Sequence, residues 1–167
     1  NPGNSVITNN QTSATIRISS QNEVYGLYLL GLAVEVYSPS LDPLVITQTS
    51  GTNPANPGDI LGFNFTFENT GNDNAINTNL STVIPPQATL LNITNLPPGV
   101  TYTYNAGTGD LNFVVADGFL DVGDPPITIP MELQVNDECY FLEDDCTLSF
   151  DLQFTATYEG AQFPGVI

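Results

Sequence analysis

The chain has 167 residues, of which 41% are hydrophobic, so it is long and apolar enough for one folded domain, or one domain with part of a neighbour. Its net charge of −17, from 18 acids against one Arg and no Lys or His, argues against nucleic acid and anionic membrane surfaces as partners. No apolar run is long enough to span a bilayer, which argues against direct membrane insertion. Only 11% of the residues are charged, so most of the polar surface is neutral, as is typical of exported β-proteins.

The first 42 residues contain two apolar stretches. Residues 14–18 alternate like a terminal strand, and residues 24–37 predict one or two further strands. An isolated strand pair would leave these apolar side chains with too little to pack against, which favours adding them to the main sandwich. The alternative is that they end a preceding repeat. We therefore divide the chain into N-terminal strands at 1–42 and a main domain at 43–167.

Strand signals then recur throughout the main domain. Apolar residues occupy every second position in 60–68, 126–135 and 147–159, so each segment predicts a strand with one apolar and one polar face. Such strands belong to antiparallel sheets that pack on another sheet.

Clusters of Pro, Gly and Asn separate these strands. Asn-Pro-Gly-Asp at 56–59 leads into the Phe-rich strand, residues 69–74 close it, and residues 105–110 turn strand 101–104 into strand 111–115. The count is about seven strands over roughly 115 residues, which predicts an all-β fold of the immunoglobulin-like antiparallel β-sandwich type.

Two cysteines, Cys139 and Cys146, lie close together near the end of the chain. A zinc site needs more ligands, and a redox site needs a tighter spacing such as Cys-x-x-Cys. Two unpaired core thiols are one remaining interpretation. We favour the other, a disulfide that closes a hairpin tip, which would contribute about 2–3 kcal/mol and indicate an oxidising compartment.

The order of these motifs resembles a known family. A Leu-Val-Ile-Thr strand at 44–47, Asn-Pro-Gly-Asp at 56–59 and an aromatic strand ending in Asn-Thr-Gly-Asn at 69–72 follow one another, with Pro-rich pieces at 84–86 and 96–100. This pattern resembles an immunoglobulin-like repeat domain of large bacterial cell-surface proteins of the Bacteroidota type, such as gliding-motility adhesins. The resemblance covers about three-quarters of the chain. It implies an extracellular location at the bacterial cell surface and neighbouring domains of the same parent chain as partners.

Catalysis has little support in the sequence. Without His or Lys, the common bases that activate a Ser or Cys nucleophile are missing, so we predict that the chain is not an enzyme. We predict a non-catalytic structural or adhesive module that serves as spacer or adhesion domain, with surface glycans or other surface proteins as further partners. The alternative is a carbohydrate-binding module that uses exposed Tyr residues, tested at Tyr102 and Tyr104, together with Asn or Asp side chains.

One acidic loop is a candidate metal site, although no cofactor is required. Asp117, Asp121 and Asp124 lie within eight residues, and Gly118 and Gly123 let the backbone curl, so their oxygens are candidate ligands for calcium. The competing interpretation is a solvated turn in which the Asp side chains accept hydrogen bonds from nearby N–H groups.

Overall fold

The computed structural model describes residues 36–137, 149–162 and 164–165, together with nine positions between 13 and 26. The chain divides into two compact units, residues 1–35 and 36–167. Residues 36–42, which the sequence grouped with the N-terminal strands, therefore lie in the second unit. Residues 15–17 of the predicted strand at 14–18 are described and are not in a strand, whereas most of the predicted strand segment 24–37 falls outside the described residues. The place of residues 1–35 in the sandwich stays a prediction.

The second unit is an all-β antiparallel sandwich, as predicted. Its two four-stranded sheets have the orders β1-β2-β7-β4 and β5-β6-β3-β8, and every strand pair is antiparallel. No helix that could cross a membrane occurs among the described residues. The strands are β1 (Val45–Ser50), β2 (Ile60–Phe67), β3 (Ala75–Val83), β4 (Ala88–Ile93), β5 (Val100–Tyr104), β6 (Asp110–Val115), β7 (Ile127–Val135) and β8 (Thr155–Gly160).

The core lies between the two sheets. Phe65 of β2 and Phe113 of β6 are both fully buried, and their ring centroids are 6.3 Å apart across the layer. Phe154, just before β8, stacks on Phe65 with a centroid distance of 3.8 Å. Aromatic rings bury more apolar area than most other side chains, so these three rings contribute strongly to the hydrophobic core at the centre of the sandwich.

Two of the three segments with alternating apolar positions form strands over nearly their whole length. The predicted strands at 60–68 and 126–135 are β2 and β7, with their apolar positions turned into the core. The third predicted strand, 147–159, is correct only in part, because strand pairing begins at Thr155. Residues 149–154 keep the alternation of exposed and half-buried side chains without strand pairing. Alternation reports which side chains are buried, and it does not by itself require a hydrogen-bonded neighbour.

Strand direction determines where the chain enters and leaves the sandwich. Each pairing joins an odd-numbered to an even-numbered strand, so within each sheet the odd-numbered strands run opposite to the even-numbered ones. The Thr70 N–H donates to Ser40 O ahead of β1, and Ala75 pairs with Gly160 at the end of β8, so the start of β1 and the end of β8 fall at the same end of the sandwich, which we call the near pole. Loops 69–74 and 116–126 lie at the near pole, and turns 51–59, 84–87 and 105–109 lie at the opposite, far pole.

The Asn-Pro-Gly-Asp turn at the far pole is held by its own carboxylate. The backbone N–H of Asn56 donates to Asp59 Oδ2 over 2.8 Å, and Thr52 Oγ1 lies 3.2 Å from the same oxygen. The hydrogen bond from the Asn56 backbone lowers the pKa of the Asp59 carboxyl below its ordinary value, because it favours the ionised form. The predicted turn thus begins β2 with a charge-assisted cap.

Strand β3 buries two threonines where its neighbours bury apolar residues. Thr78 is 1% exposed and Thr82 is 7% exposed, on the same core-facing side as Leu80. The Thr82 hydroxyl donates to the backbone oxygen of Gln153 over 2.6 Å. The Thr78 hydroxyl makes no hydrogen bond within the described structure. A buried polar atom without a partner costs free energy, whereas a satisfied one contributes modestly.

These two threonines give a matched test. We expect Thr78→Val to raise the free energy of unfolding by about 1 kcal/mol, because it replaces an unpartnered hydroxyl with a methyl group of similar size. The same substitution at Thr82 should lower it by about 1 kcal/mol, because the Gln153 carbonyl loses its donor. Urea denaturation of both variants measures the difference, and equal changes in the two would contradict the assignment.

Candidate functional site

A segment that precedes β1 docks on the near pole. Residues 36–42, here called the strap, run beside the loop that follows β2. The backbone N–H of Thr70 donates to Ser40 O over 2.8 Å, and that of Asn72 donates to Ser38 O over 3.1 Å. These bonds continue the antiparallel pairing of β1 with β2 past the start of β1 and the end of β2. Leu41 of the strap is 2% exposed and completes the core at this pole.

Two asparagine side chains strengthen this docking. Asn72 receives a hydrogen bond from the Ser38 backbone N–H at its Oδ1 over 2.9 Å and donates from Nδ2 to Val36 O over 3.0 Å. Asn69 Oδ1 accepts from the Ser40 backbone N–H over 3.1 Å. An Asn side chain carries the same kinds of donor and acceptor as a peptide group, so each of these amides makes hydrogen bonds to the strap that a neighbouring strand would otherwise make.

Asn69 also ties the strap to the rest of the near pole. Its Nδ2 donates to the backbone oxygens of Asp73 over 2.7 Å and Leu120 over 2.9 Å, and the residue is 8% exposed. One buried amide thus joins three segments of the chain. Because every side-chain polar atom of Asn69 has a partner, its burial stabilises a single arrangement.

Gly71 is required by the close approach of the strap. A Cβ at this position would lie 2.6 Å from the backbone N of Ser40 and 2.7 Å from the carbonyl carbon of Pro39. Real Cβ atoms do not approach backbone so closely, and backbone atoms have little freedom to move away. The Gly of the Asn-Thr-Gly-Asn motif is therefore explained by the strap that packs against it.

The same loop holds the chain where it leaves the sandwich. Asp73 is 4% exposed, and its Oδ2 accepts from the Gln162 backbone N–H over 3.1 Å. Its Oδ1 accepts from the Asn74 N–H over 2.9 Å, and the Ala161 N–H donates to Asn74 O over 2.9 Å. Hydrogen bonds to a carboxylate are stronger than those between neutral groups, so Asp73 is the firmest of these contacts.

The two chain ends meet at this loop. A Cβ on Gly160 would lie 2.6 Å from Asp73 Oδ2 and 3.2 Å from Pro39 Cδ, so the last residue of β8 lies beside both loop and strap. The backbone N–H of Leu41 lies 3.5 Å from the Tyr158 hydroxyl, a weak hydrogen bond between the strap and β8. We call the strap, loop 69–74 and residues 160–162 together the terminal clasp.

The terminal clasp was not predicted from the sequence. Residues 69–74 were interpreted as a turn that closes a strand, and residues 36–42 were grouped with the N-terminal strands. The available signal was the density of Asn in a Gly-containing loop, since Asn side chains replace backbone hydrogen bonds. Most clasp contacts are neutral, so we expect the clasp to depend little on ionic strength.

The structure places the three candidate calcium ligands in loop 116–126 at the near pole, and the carboxylates of two of them, Asp117 and Asp124, accept hydrogen bonds. Asp117 Oδ1 accepts from the Asn77 backbone N–H over 3.0 Å, and Asp124 Oδ2 accepts from the Asp121 N–H over 2.9 Å. Across the described residues, no three Asp, Glu, Cys or His side chains are grouped so as to hold a metal ion. Calcium binding here stays a prediction, and the ion would compete with these N–H groups for the carboxylates.

Tyr102 and Tyr104 belong to the core-facing side of β5. They lie directly opposite Phe113 and Leu111, both fully buried, and residues opposite each other in an antiparallel pair share a face. Tyr104 packs against the core, and Tyr102 stays 43% exposed because β5 is an edge strand. Of the two tyrosines that the carbohydrate-binding alternative expected to be exposed, Tyr102 is exposed and Tyr104 is half-buried.

The outer face of the second sheet is polar instead. Ser81 lies opposite Asn112 on one side and Thr155 on the other, and all three are exposed. An open groove runs across this region, with hydroxyl, amide and carboxylate groups along it. Its lining consists of Ser81, Thr82, Val83, Asp110, Asn112, Asp151, Gln153 and Thr155.

Other predictions find no test here. Cys139 and Cys146 lie outside the described residues, so their disulfide stays a prediction. No protein-family model matches the chain, and no curated protein matches it. The resemblance to a bacterial surface repeat therefore rests on its turn and strand motifs alone.

The close contact at Gly71 gives a test of the clasp. We expect Gly71→Ala to lower the free energy of unfolding by about 1–3 kcal/mol, because the new methyl group forces strap and loop apart. Gly107→Ala is the matched control, since the nearest atom to its added Cβ is the Asn105 side-chain oxygen at 3.4 Å. Thermal melts and urea denaturation compare the two variants. An equally small effect from both would show that the strap does not dock as described.

The acidic loop gives a test that separates capping from calcium. We expect Asp124→Ala to lower the free energy of unfolding by about 1 kcal/mol in chelator, because the Asp121 N–H loses its acceptor. Calcium binding would add a rise in Tm in millimolar Ca²⁺ that Asp121→Ala abolishes. A small equal rise in wild type and variant would indicate general screening, and an unchanged wild-type midpoint would contradict the calcium site.

Proposed function

We propose that this chain is a non-catalytic structural and adhesive module of an exported cell-surface protein. The observation that carries the proposal is the use made of its buried polar groups. Asn69 and Asp73 are the only buried amide and carboxylate among the described residues, and both hold chain ends in the terminal clasp. In enzymes, buried ionisable groups line a cleft and are matched to a reaction. Here the buried side chains of Asn69 and Asp73 instead hold the chain ends against the sandwich.

The surface chemistry supports the same role. Exposed strand faces carry mainly Thr, Asn and Ser, while the acids at 59, 117 and 124 accept hydrogen bonds in or near turns. With a net charge of −17, the module repels other anionic surfaces and stays soluble at high local density. Its partners on this proposal are neighbouring domains of the same parent chain, and surface proteins or glycans reached through neutral hydrogen bonds.

The polar groove favours carbohydrate binding as a second candidate. Hydroxyl, amide and carboxylate side chains, as at Ser81, Asn112 and Asp151, are suited to the hydroxyl groups of a sugar. On this candidate the ligand lies across the outer face of the second sheet. The groove has no aromatic side chain in its lining, so affinity would depend on several hydrogen bonds at once.

Surface labelling of intact source cells tests the first proposal. We expect antibody fragments against the purified module to bind without permeabilisation and to reduce cell attachment, because the module is exposed and adhesive. Fragments raised against a cytoplasmic protein serve as the control. Labelling that appears only after permeabilisation would contradict the proposal.

A glycan array separates the second candidate. Saturable, sugar-specific binding that Asn112→Ala weakens at least tenfold would support carbohydrate recognition in the groove. Asn72→Ala, which replaces another exposed Asn but at the clasp, is the matched control and should leave any such binding unchanged. No saturable binding by the wild type would remove this candidate and leave the first proposal in place.

A further inference from the structure

The chain enters and leaves the sandwich at neighbouring positions. The strap and residues 160–162 bind the same six-residue loop, and Pro39 lies next to Gly160. Tension applied where the chain enters and leaves therefore acts first across the terminal clasp. Because neither attachment point lies at the far pole, this tension is not transmitted along the length of the strands.

The strands next in line are poorly suited to resist such a force. Among the strands that the structure describes, β1 and β8 are edge strands of different sheets, and each is hydrogen-bonded to one neighbour. A pull on the start of β1 or the end of β8 reaches each ladder at its near-pole end. The hydrogen bonds of that strand pair are then loaded one after another from the near-pole end, as in unzipping. A strand pulled along its axis against an anchor at the far pole would instead load all of its hydrogen bonds at the same time.

The strap and β1 are also lightly anchored. Five of the six residues of β1 are exposed, and only Ile46 is half-buried. Pro39 and Leu41 are the only buried side chains in the strap and β1. Once Pro39, Leu41 and the asparagine contacts are released, little apolar burial opposes the peeling of β1 from β2.

We infer that the sandwich is a force-yielding module, in which the terminal clasp sets the first rupture and the edge strands then unzip. It does not act as a stiff in-line spacer. Release of residues 36–44 adds up to about 30 Å of chain before the core opens, since an extended residue spans roughly 3.3–3.6 Å. The use of this compliance at a cell surface rests on the proposed function. The mechanical response itself follows from the fold.

Single-molecule pulling on the full chain in two geometries tests the inference. Bioorthogonal handles at residues 36 and 162 pull from the near pole only, whereas handles at residues 106 and 162 pull across the sandwich and shear β8 against β3. We expect the first geometry to yield at a force at least twofold lower, with a short first step of up to about 30 Å. Equal forces in the two geometries, or a single rupture without that step, would overturn the inference.

A pair of asparagine variants locates the rupture. Asn72→Ala removes two hydrogen bonds between the loop and strap, so it should lower the force of the first step in the near-pole geometry and leave the cross-sandwich geometry unchanged. Asn112→Ala, on the outer face of β6, should change neither. A first step insensitive to Asn72→Ala would show that the clasp does not set it. A negative result for surface labelling would remove the proposed function without affecting these forces.

Discussion

The apolar layer between the sheets needs a seal at the near pole, and much of the structure follows from how that seal is made. Phe65, Phe113 and Phe154 fill the middle of the layer, whereas Leu41 and Leu120 cover its end and are 2% and 1% exposed. Neither leucine belongs to a strand. Each is kept in place because Asn69 bonds to both of the segments that carry them. Hydrophobic burial thus depends on a polar residue that positions two irregular segments.

The near absence of cations shapes the chemistry of that seal. A chain with one Arg has almost no opportunity for ion pairs, so its buried carboxylate at Asp73 is satisfied by backbone N–H groups. The remaining junctions use neutral amides. Such contacts keep their strength as salt concentration changes, whereas the mutual repulsion of the surface acids is screened. We expect salt to stabilise the sandwich through the second effect alone.

The sequence predicts best the elements whose core-facing positions are apolar. Strands β2 and β7 show unbroken alternation, and Gly and Asn mark the turn between β5 and β6, so all four were identified. Strand β3 was not recognised, because Thr78 and Thr82 occupy core positions and a bulge between Ile76 and Asn79 shifts its alternation.

The site was harder to predict for two physical reasons. The strap shows no strand pattern in the sequence, since its Ser and Pro residues are typical of loops and its two buried residues, Pro39 and Leu41, do not form a longer alternation. The orientation of Tyr102 depends on its register with Phe113, which no local pattern in β5 reveals. Contacts between distant segments, such as Asn72 with Ser38, leave a signal only in composition.

The proximity of Pro39 and Gly160 has a consequence for how such a domain is combined with others. A domain whose two attachment points coincide can be placed within a surface loop of a host protein, and the host strands on either side need not move apart. For the same reason, a short peptide joining the two attachment points and a new opening in a far-pole turn such as 105–109 would give a circular permutant with the sandwich intact. The fold is therefore as well suited to insertion within another domain as to a place in a tandem series.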